Sequence, residues 1–128
     1  MSDRIKFEME FPIKVSQKLL FQYISTPSGL SEWFADNVNS RGEIFIFIWN
    51  DSEESAKLIR KINNEKIQFQ WLDDEETDYY IELRIQFDEI TKDVSLIVTD
   101  FSDEEEIEEA KLLWDSLISD LKQVLGSS

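Results

Sequence analysis

The chain has 128 residues, of which 41% are apolar and 12% aromatic, with only 3 glycines and 2 prolines. This length and composition predict one domain spanning residues 1–128, with enough apolar side chains to bury a core. Thirteen lysines and arginines against 28 acidic residues give a net charge of −15. Nucleic acids bind through neutralised phosphates and anionic lipid surfaces repel acidic chains, so we expect neither a nucleic acid nor a membrane as a partner.

Cysteine and histidine are both absent from the sequence. Their absence excludes disulfides, thiol nucleophiles, Cys/His zinc sites and every catalytic scheme built on imidazole. We expect no cofactor and no metal. The first thirty or so residues show no signal-peptide apolar segment, and no window approaches the roughly 20 apolar residues of a membrane span. These patterns favour a cytoplasmic protein.

The N-terminal third predicts a strand followed by two short helices. Apolar and charged residues alternate from Ile5 to Ile13 with a period of two, which is typical of a half-buried strand. A helix is predicted to begin after Ser16, a suitable N-cap, and to end before the Thr26-Pro27-Ser28-Gly29 sequence. A second short helix is predicted over 29–34.

Residues 36–101 predict strands joined by short turns, hence an antiparallel meander. Strands are expected at 43–50, 55–62, 66–72, 79–88 and 93–101. The segment from Glu43 to Asn50 is apolar on both phases, isoleucine on one and aromatic on the other. The sequence does not say which phase faces inward, and the outer phase needs a second cover such as a partner chain.

A long amphipathic helix is predicted at the C-terminus. Ser102 and Glu105 have the spacing of a capping box, an apolar stripe runs from Ile107 to Leu125, and Gly126 is a natural stop. About 22 residues at 1.5 Å each give a helix of roughly 33 Å, enough to cross a sheet. The elements therefore predict an α+β fold, a curved antiparallel sheet of about six to seven strands with the long helix on its concave face.

Two stretches of the sequence resemble the helix-grip superfamily, also called START-like, SRPBCC or Bet v 1-like. Residues 20–34, LFQYISTPSGLSEWF, are similar to the short-helix and "W-F" signature of the branch that activates the heat-shock chaperone ATPase. Residues 113–121, LWDSLISDL, are similar to the tryptophan-bearing terminal helix of that branch. The resemblance implies a helix-grip fold with an apolar cavity between sheet and helix. It also implies hydrophobic-ligand binding, chaperone assistance or, in some branches, lyase or cyclase activity.

Our leading hypothesis is non-catalytic binding of an apolar or amphipathic small molecule in that cavity. The predicted walls come from the short helices, the strands and the terminal helix: Trp33, Phe69, Trp71, Ile81, Leu83, Ile85, Ile107, Ala110, Trp114 and Leu117. These aromatics are equally consistent with ordinary core packing. Arg60 shares a phase with apolar residues and would anchor a ligand carboxylate, unless it reaches solvent at the strand edge.

Protein interaction is the alternative function. Between Asp73 and Glu109 there are sixteen acidic residues against only Arg84 and Lys92. This segment could steer a basic partner, although a solvated hairpin tip and a helix N-terminus also explain it. The strand over 43–50 could instead form a homodimer interface. An enzyme of the cyclase or lyase kind would need an inward-facing acid beside a tyrosine, and the sequence shows no such constellation.

Overall fold

The computed structural model describes residues 3–127. It contains seven strands and three helices, which we number in chain order. The strands are β1 (Ile5–Pro12), β2 (Asn37–Arg41), β3 (Ile44–Trp49), β4 (Ser52–Ile62), β5 (Lys66–Trp71), β6 (Ile81–Phe87) and β7 (Val94–Ser102). The helices are α1 (Gln17–Ser25), α2 (Pro27–Leu30) and α3 (Ile107–Leu125), with short 3₁₀ turns at Leu72–Asp74 and Glu104–Glu106.

All seven strands form one open antiparallel sheet in the order β1-β7-β6-β5-β4-β3-β2. Strands β2 to β7 are a meander, and β1 joins its far side by pairing with β7, where Ile5 lies opposite Ser102. Helix α3 covers the inner face of the curved sheet and buries Trp114, Ile118 and Leu121 there. The expected α+β helix-grip architecture is confirmed.

The predicted ends of α1 and α3 are partly confirmed. Ser16 caps α1, because its hydroxyl accepts the Leu19 backbone N–H at 3.1 Å. Gly126 ends α3 in the left-handed conformation with φ of 70°, as predicted. The capping box at Ser102 is wrong, since Ser102 still belongs to β7 and a 3₁₀ turn intervenes before α3. The helix therefore has 19 residues and begins later than predicted.

The phase of β3 is the ambiguity that the structure resolves. Phe45 and Phe47 are buried on the inner face, while Ile44, Ile46 and Ile48 are half-buried on the outer face. Strand β2, which the sequence pattern did not single out, runs along the edge beside β3. The second short helix is also shifted, since α2 covers Pro27–Leu30 rather than 29–34.

Candidate functional site

The predicted cavity walls do meet, but they leave almost no space between them. Phe69, Trp71, Ile81 and Leu83 line an enclosed void of about 10 Å³. Its other walls come from β3, β4 and the α2 region, namely Leu30, Phe34, Phe47 and Ala56. A cavity needs at least about 10–15 Å³ to hold one water molecule, so in this conformation the core is filled.

The remaining predicted wall residues lie around the void rather than in it. Ile85 is buried on the inner face, and Trp114 is 3% exposed on α3. Ile107, Ala110 and Leu117 are half-buried and pack against the core from the helix side. The hydrophobic residues predicted from the strands and from α3 thus share one apolar interior.

Arg60 does not lie with them, which corrects its assignment as a cavity anchor. The β4–β5 register shifts between Leu58 and Arg60, so Arg60 pairs with Gln68 and is exposed on the outer face. After this bulge Lys61 pairs with the buried Ile67 and faces inward, with its ammonium 5.9 Å from the Phe21 ring centroid. A bulge reverses which residues face inward, and strict alternation cannot reveal it.

Phe34 is the centre of the aromatic packing that fills the core. Its ring centroid lies 5.5 Å from that of Trp33, 5.2 Å from Phe47, 6.0 Å from Trp49 and 5.9 Å from Trp114. We call these five residues the aromatic cluster. Such edge-on and tilted pairs each contribute about 0.5–1.5 kcal/mol beyond the area they bury.

The indole nitrogens of the cluster are all bonded to the protein. Trp33 donates to the Tyr23 carbonyl at 2.9 Å, and Trp49 donates to the Phe34 carbonyl at 3.0 Å. The Trp49 bond thereby ties the backbone of Phe34 to β3. These bonds fix the ring orientations and satisfy the indole N–H groups, so the exposed surface of the cluster is apolar.

Trp114 donates to the Asp100 carboxylate at 3.0 Å, which joins α3 to β7. The other carboxylate oxygen accepts the Phe101 backbone N–H at 2.7 Å. Burial raises the pKa of Asp100, and these two hydrogen bonds oppose that rise. Asp100 is the inward-facing acid that the sequence left unidentified, and both of its oxygens are engaged in holding the fold together.

On the solvent side of the cluster lies an open groove between α3 and residues 31–36, lined by both apolar and polar side chains. Its volume is about 650 Å³. We call it the α3 groove. Its apolar lining is Trp33, Phe34, Ala35, Trp49, Leu113, Leu117 and Val124, and its polar lining is Ser31, Glu32, Asp36, Asp120 and Gln123.

Phe34 lines both the α3 groove and the enclosed void. Phe34 therefore lies at the boundary between the groove and the apolar interior. Trp33 and Leu117, predicted as cavity walls, belong to the groove side of this boundary. Leu113, which is 59% exposed, was not predicted as a site residue, although its position beside Trp114 on the terminal helix gave a signal.

The acidic segment does not form a metal site in the part of the chain that the structure describes, where no group of three candidate ligands comes together. The negative charge of its hairpin tip is partly neutralised, because Asp74 forms an ion pair with Arg4 at 2.8 Å. Arg4 also stacks on Tyr79, with its guanidinium carbon 4.6 Å from the ring centroid. Within residues 3–127, no helix is both long enough and apolar enough to span a bilayer.

Comparison with known proteins places these features in a family context. The model of the START-like superfamily domain matches residues 1–127. The chain is similar to the solution structure of BfR322 from Bacteroides fragilis, with 35% identity and a TM-score of 0.70 over 96% of this chain and 92% of that one. A comparison with curated protein sequences gave no match.

Two more distant structures share the fold. The Aha1 dimer from Colwellia psychrerythraea is 18% identical with a TM-score of 0.78, over 94% of this chain and 96% of that one. The protein MLL2253 from Mesorhizobium loti is 15% identical with a TM-score of 0.76, over 95% of this chain and 97% of that one. At these identities the likeness concerns the fold alone.

Proposed function

Because the chain belongs to the START-like superfamily, whose domains commonly bind hydrophobic ligands, we propose that it binds an apolar or amphipathic small molecule without catalysis. The binding place is the α3 groove, and the ligand gains access to the core by displacing the Phe34 ring. The observation that carries the proposal is that Phe34 lines both a groove of about 650 Å³ and the void in the apolar interior.

Displacement of Phe34 reconciles a filled core with ligand binding. The enclosed void of about 10 Å³ is lined entirely by apolar side chains. An apolar group that replaces the Phe34 ring would therefore contact the same kind of surface as the ring does. Apolar surface removed from water contributes about 25 cal/mol per Å², which is the main driving force for such a ligand. Part of that gain offsets the loss of the contacts that Phe34 makes in the aromatic cluster.

The polar rim of the α3 groove indicates the kind of ligand head group. The rim contains three carboxylates, those of Glu32, Asp36 and Asp120. No lysine or arginine is among the described residues that line the groove. A carboxylate or phosphate head group would meet like charges in that setting. The ligand we propose therefore carries a neutral or cationic polar group, in contrast to the anion that an inward Arg60 would have selected.

The hydrogen bonding of the buried acid supports binding rather than catalysis. Asp100 accepts hydrogen bonds on both oxygens, from Trp114 and from the Phe101 backbone. A general acid or base must instead present an oxygen to the reacting atoms. We accordingly assign a structural role to Asp100 and a binding role to the α3 groove.

The test compares two adjacent leucines on α3. Leu113 lines the groove and is 59% exposed, while Leu112 is 67% exposed and lies outside it. Leu113→Asn should weaken binding of dodecyltrimethylammonium, a single-chain cationic probe, about tenfold or more, the equivalent of one buried leucine, and it adds no carboxylate that would attract the probe. Leu112→Asn makes the same change outside the groove and should leave the affinity within about twofold. Equal effects of both variants, measured by calorimetry below the micelle concentration, would refute the groove.

A second pair of variants tests the head-group preference. Asp120 lies in the groove rim, and Asp115 is exposed on the same helix outside it. Asp120→Asn should reduce the preference for dodecyltrimethylammonium over dodecanoate, whereas Asp115→Asn should change it little because only the protein's net charge is altered. If the two variants shift the preference equally, the preference arises from the overall charge of −15 and not from the groove.

A further inference from the structure

The outer face of β3 carries an apolar strip whose centre is flanked by short polar side chains. The strip consists of Ile44, Ile46 and Ile48, all half-buried. The cross-strand neighbours of Ile46 are Asn39 on β2 and Ser55 on β4. Side chains this short leave the central isoleucine accessible from outside the sheet.

The two ends of this isoleucine strip carry opposite charges. Ile44 lies between Arg41 and Lys57, whereas Ile48 lies between Asn37 and Glu53. Arg41, Lys57 and Glu53 are exposed, and within residues 3–127 none of them takes part in an ion pair. Four residues at about 3.3 Å each separate the charged ends by roughly 13 Å.

We propose that the isoleucine strip binds a second copy of this chain, outer face to outer face, as a symmetric dimer. A two-fold axis in the interface, perpendicular to β3 and above Ile46, brings Ile46 onto itself and Ile44 onto Ile48 of the second copy. Lys57 then lies opposite Glu53 of the second copy, and symmetry forms this pair twice. Packed sheets lie about 10 Å apart, a gap that a lysine and a glutamate side chain span together.

The charges select this arrangement over the other symmetric one. With the two-fold axis along β3, Arg41 would face Lys57 of the second copy, and like charges would meet twice. Only the antiparallel arrangement pairs opposite charges while keeping isoleucine against isoleucine. The proposal concerns a surface separate from the α3 groove and does not depend on ligand binding.

The dimer should be weak. Three strands and six residues give a footprint of roughly 15 by 20 Å, or about 600 Å² over both copies, which is below the size of stable specific interfaces and fits a transient one. Two copies, each with a net charge of −15, also repel one another. Self-association is therefore expected at high protein concentration and at physiological ionic strength, where that repulsion is screened.

Sedimentation equilibrium of the full chain, carried to millimolar concentration, tests the proposal. Lys57→Glu and Glu53→Lys should each raise the dissociation constant about tenfold or more, because each places like charges opposite one another. An equimolar mixture of the two variants should associate at least as tightly as the unmodified protein, since one copy then presents two carboxylates and the other two ammonium groups.

Charge-matched controls separate the interface from the effect of net charge. Lys18→Glu and Glu105→Lys make the same charge changes at exposed positions on α1 and before α3. Neither control should reproduce the loss, and their mixture should show no preference for mixed dimers. A chain that stays monomeric at millimolar concentration overturns the proposal, as does a Lys57→Glu variant that behaves like Lys18→Glu.

Discussion

Phe34→Ala should destabilise the fold and at the same time open a binding site. The Phe34 ring is only 9% exposed and lies within 6.0 Å, centroid to centroid, of four other aromatic rings. Truncation of a buried phenylalanine costs about 3–5 kcal/mol. Because water from the α3 groove can enter the space that the ring leaves, we expect a loss of about 3 kcal/mol, at the low end of that range.

Urea unfolding followed by tryptophan fluorescence measures this loss. The midpoint should fall while the slope of the free energy against urea stays constant, since the surface exposed on unfolding hardly changes. Phe34→Leu keeps most of the apolar contact and should recover most of the stability. A loss below about 1 kcal/mol for Phe34→Ala would show that the ring is not packed as described.

The same variant should bind small aromatic probes that the unmodified protein binds poorly. With Phe34 removed, the enclosed void of about 10 Å³ gains the volume of the ring and joins the α3 groove. Naphthalene should therefore raise the unfolding midpoint of Phe34→Ala more than that of the unmodified protein. A ligand that binds the native state more tightly raises the midpoint further. An equal shift in both proteins would contradict the position of Phe34 at the boundary between groove and core.

Three further predictions concern the scaffold. Burial raises the pKa of Asp100, so its contribution to stability is fully present below about pH 4 and falls as the pH rises through the raised pKa. The amide nitrogen of Asp100→Asn cannot accept the bond from either Trp114 or Phe101, so urea titrations should show this variant less stable than the unmodified protein at low pH, with a smaller deficit at pH 7. Gly29→Ala should cost at least about 1–3 kcal/mol in the same titrations, because a Cβ would meet the Gln22 carbonyl and would lie 2.6 Å from the Tyr23 Cα. Ser16→Ala should cost about 1 kcal/mol through loss of the α1 cap, whereas Ser16→Asp should be nearly neutral.

The alternation of apolar residues predicted most of the sheet correctly because strands such as β1, β5 and β6 have one polar phase. In β3 both phases are apolar, and the inward direction is set by its neighbours, where Ala56 of β4 is buried and Ser55 is not. Strand β2 has a polar sequence in which only Val38 is buried, so its strand conformation depends on hydrogen bonds to β3 rather than on its own pattern.

The candidate site was harder to predict than the fold. The residues that surround the core could be named from periodicity, but the space among them depends on how side chains such as Phe34 and Phe47 interlock. The α3 groove arises where a loop and a helix distant in sequence approach each other, and no local pattern encodes that approach. The bulge that turns Arg60 outward is likewise a property of the β4–β5 pairing and not of either strand alone.

The pairing of β1 with β7 has a consequence for how the chain is made. Strand β1 is synthesised before the other six strands, but its partner β7 is the last of them, since Ile5 pairs with Ser102. During synthesis the inner face of β3 lacks the cover of α3 until that helix emerges. The six residues of β3, IFIFIW, carry no charge and no proline and are typical of aggregation-prone segments. The nascent chain is therefore most vulnerable between the synthesis of β3 and that of α3, and its yield should depend on chaperones that bind exposed apolar strands.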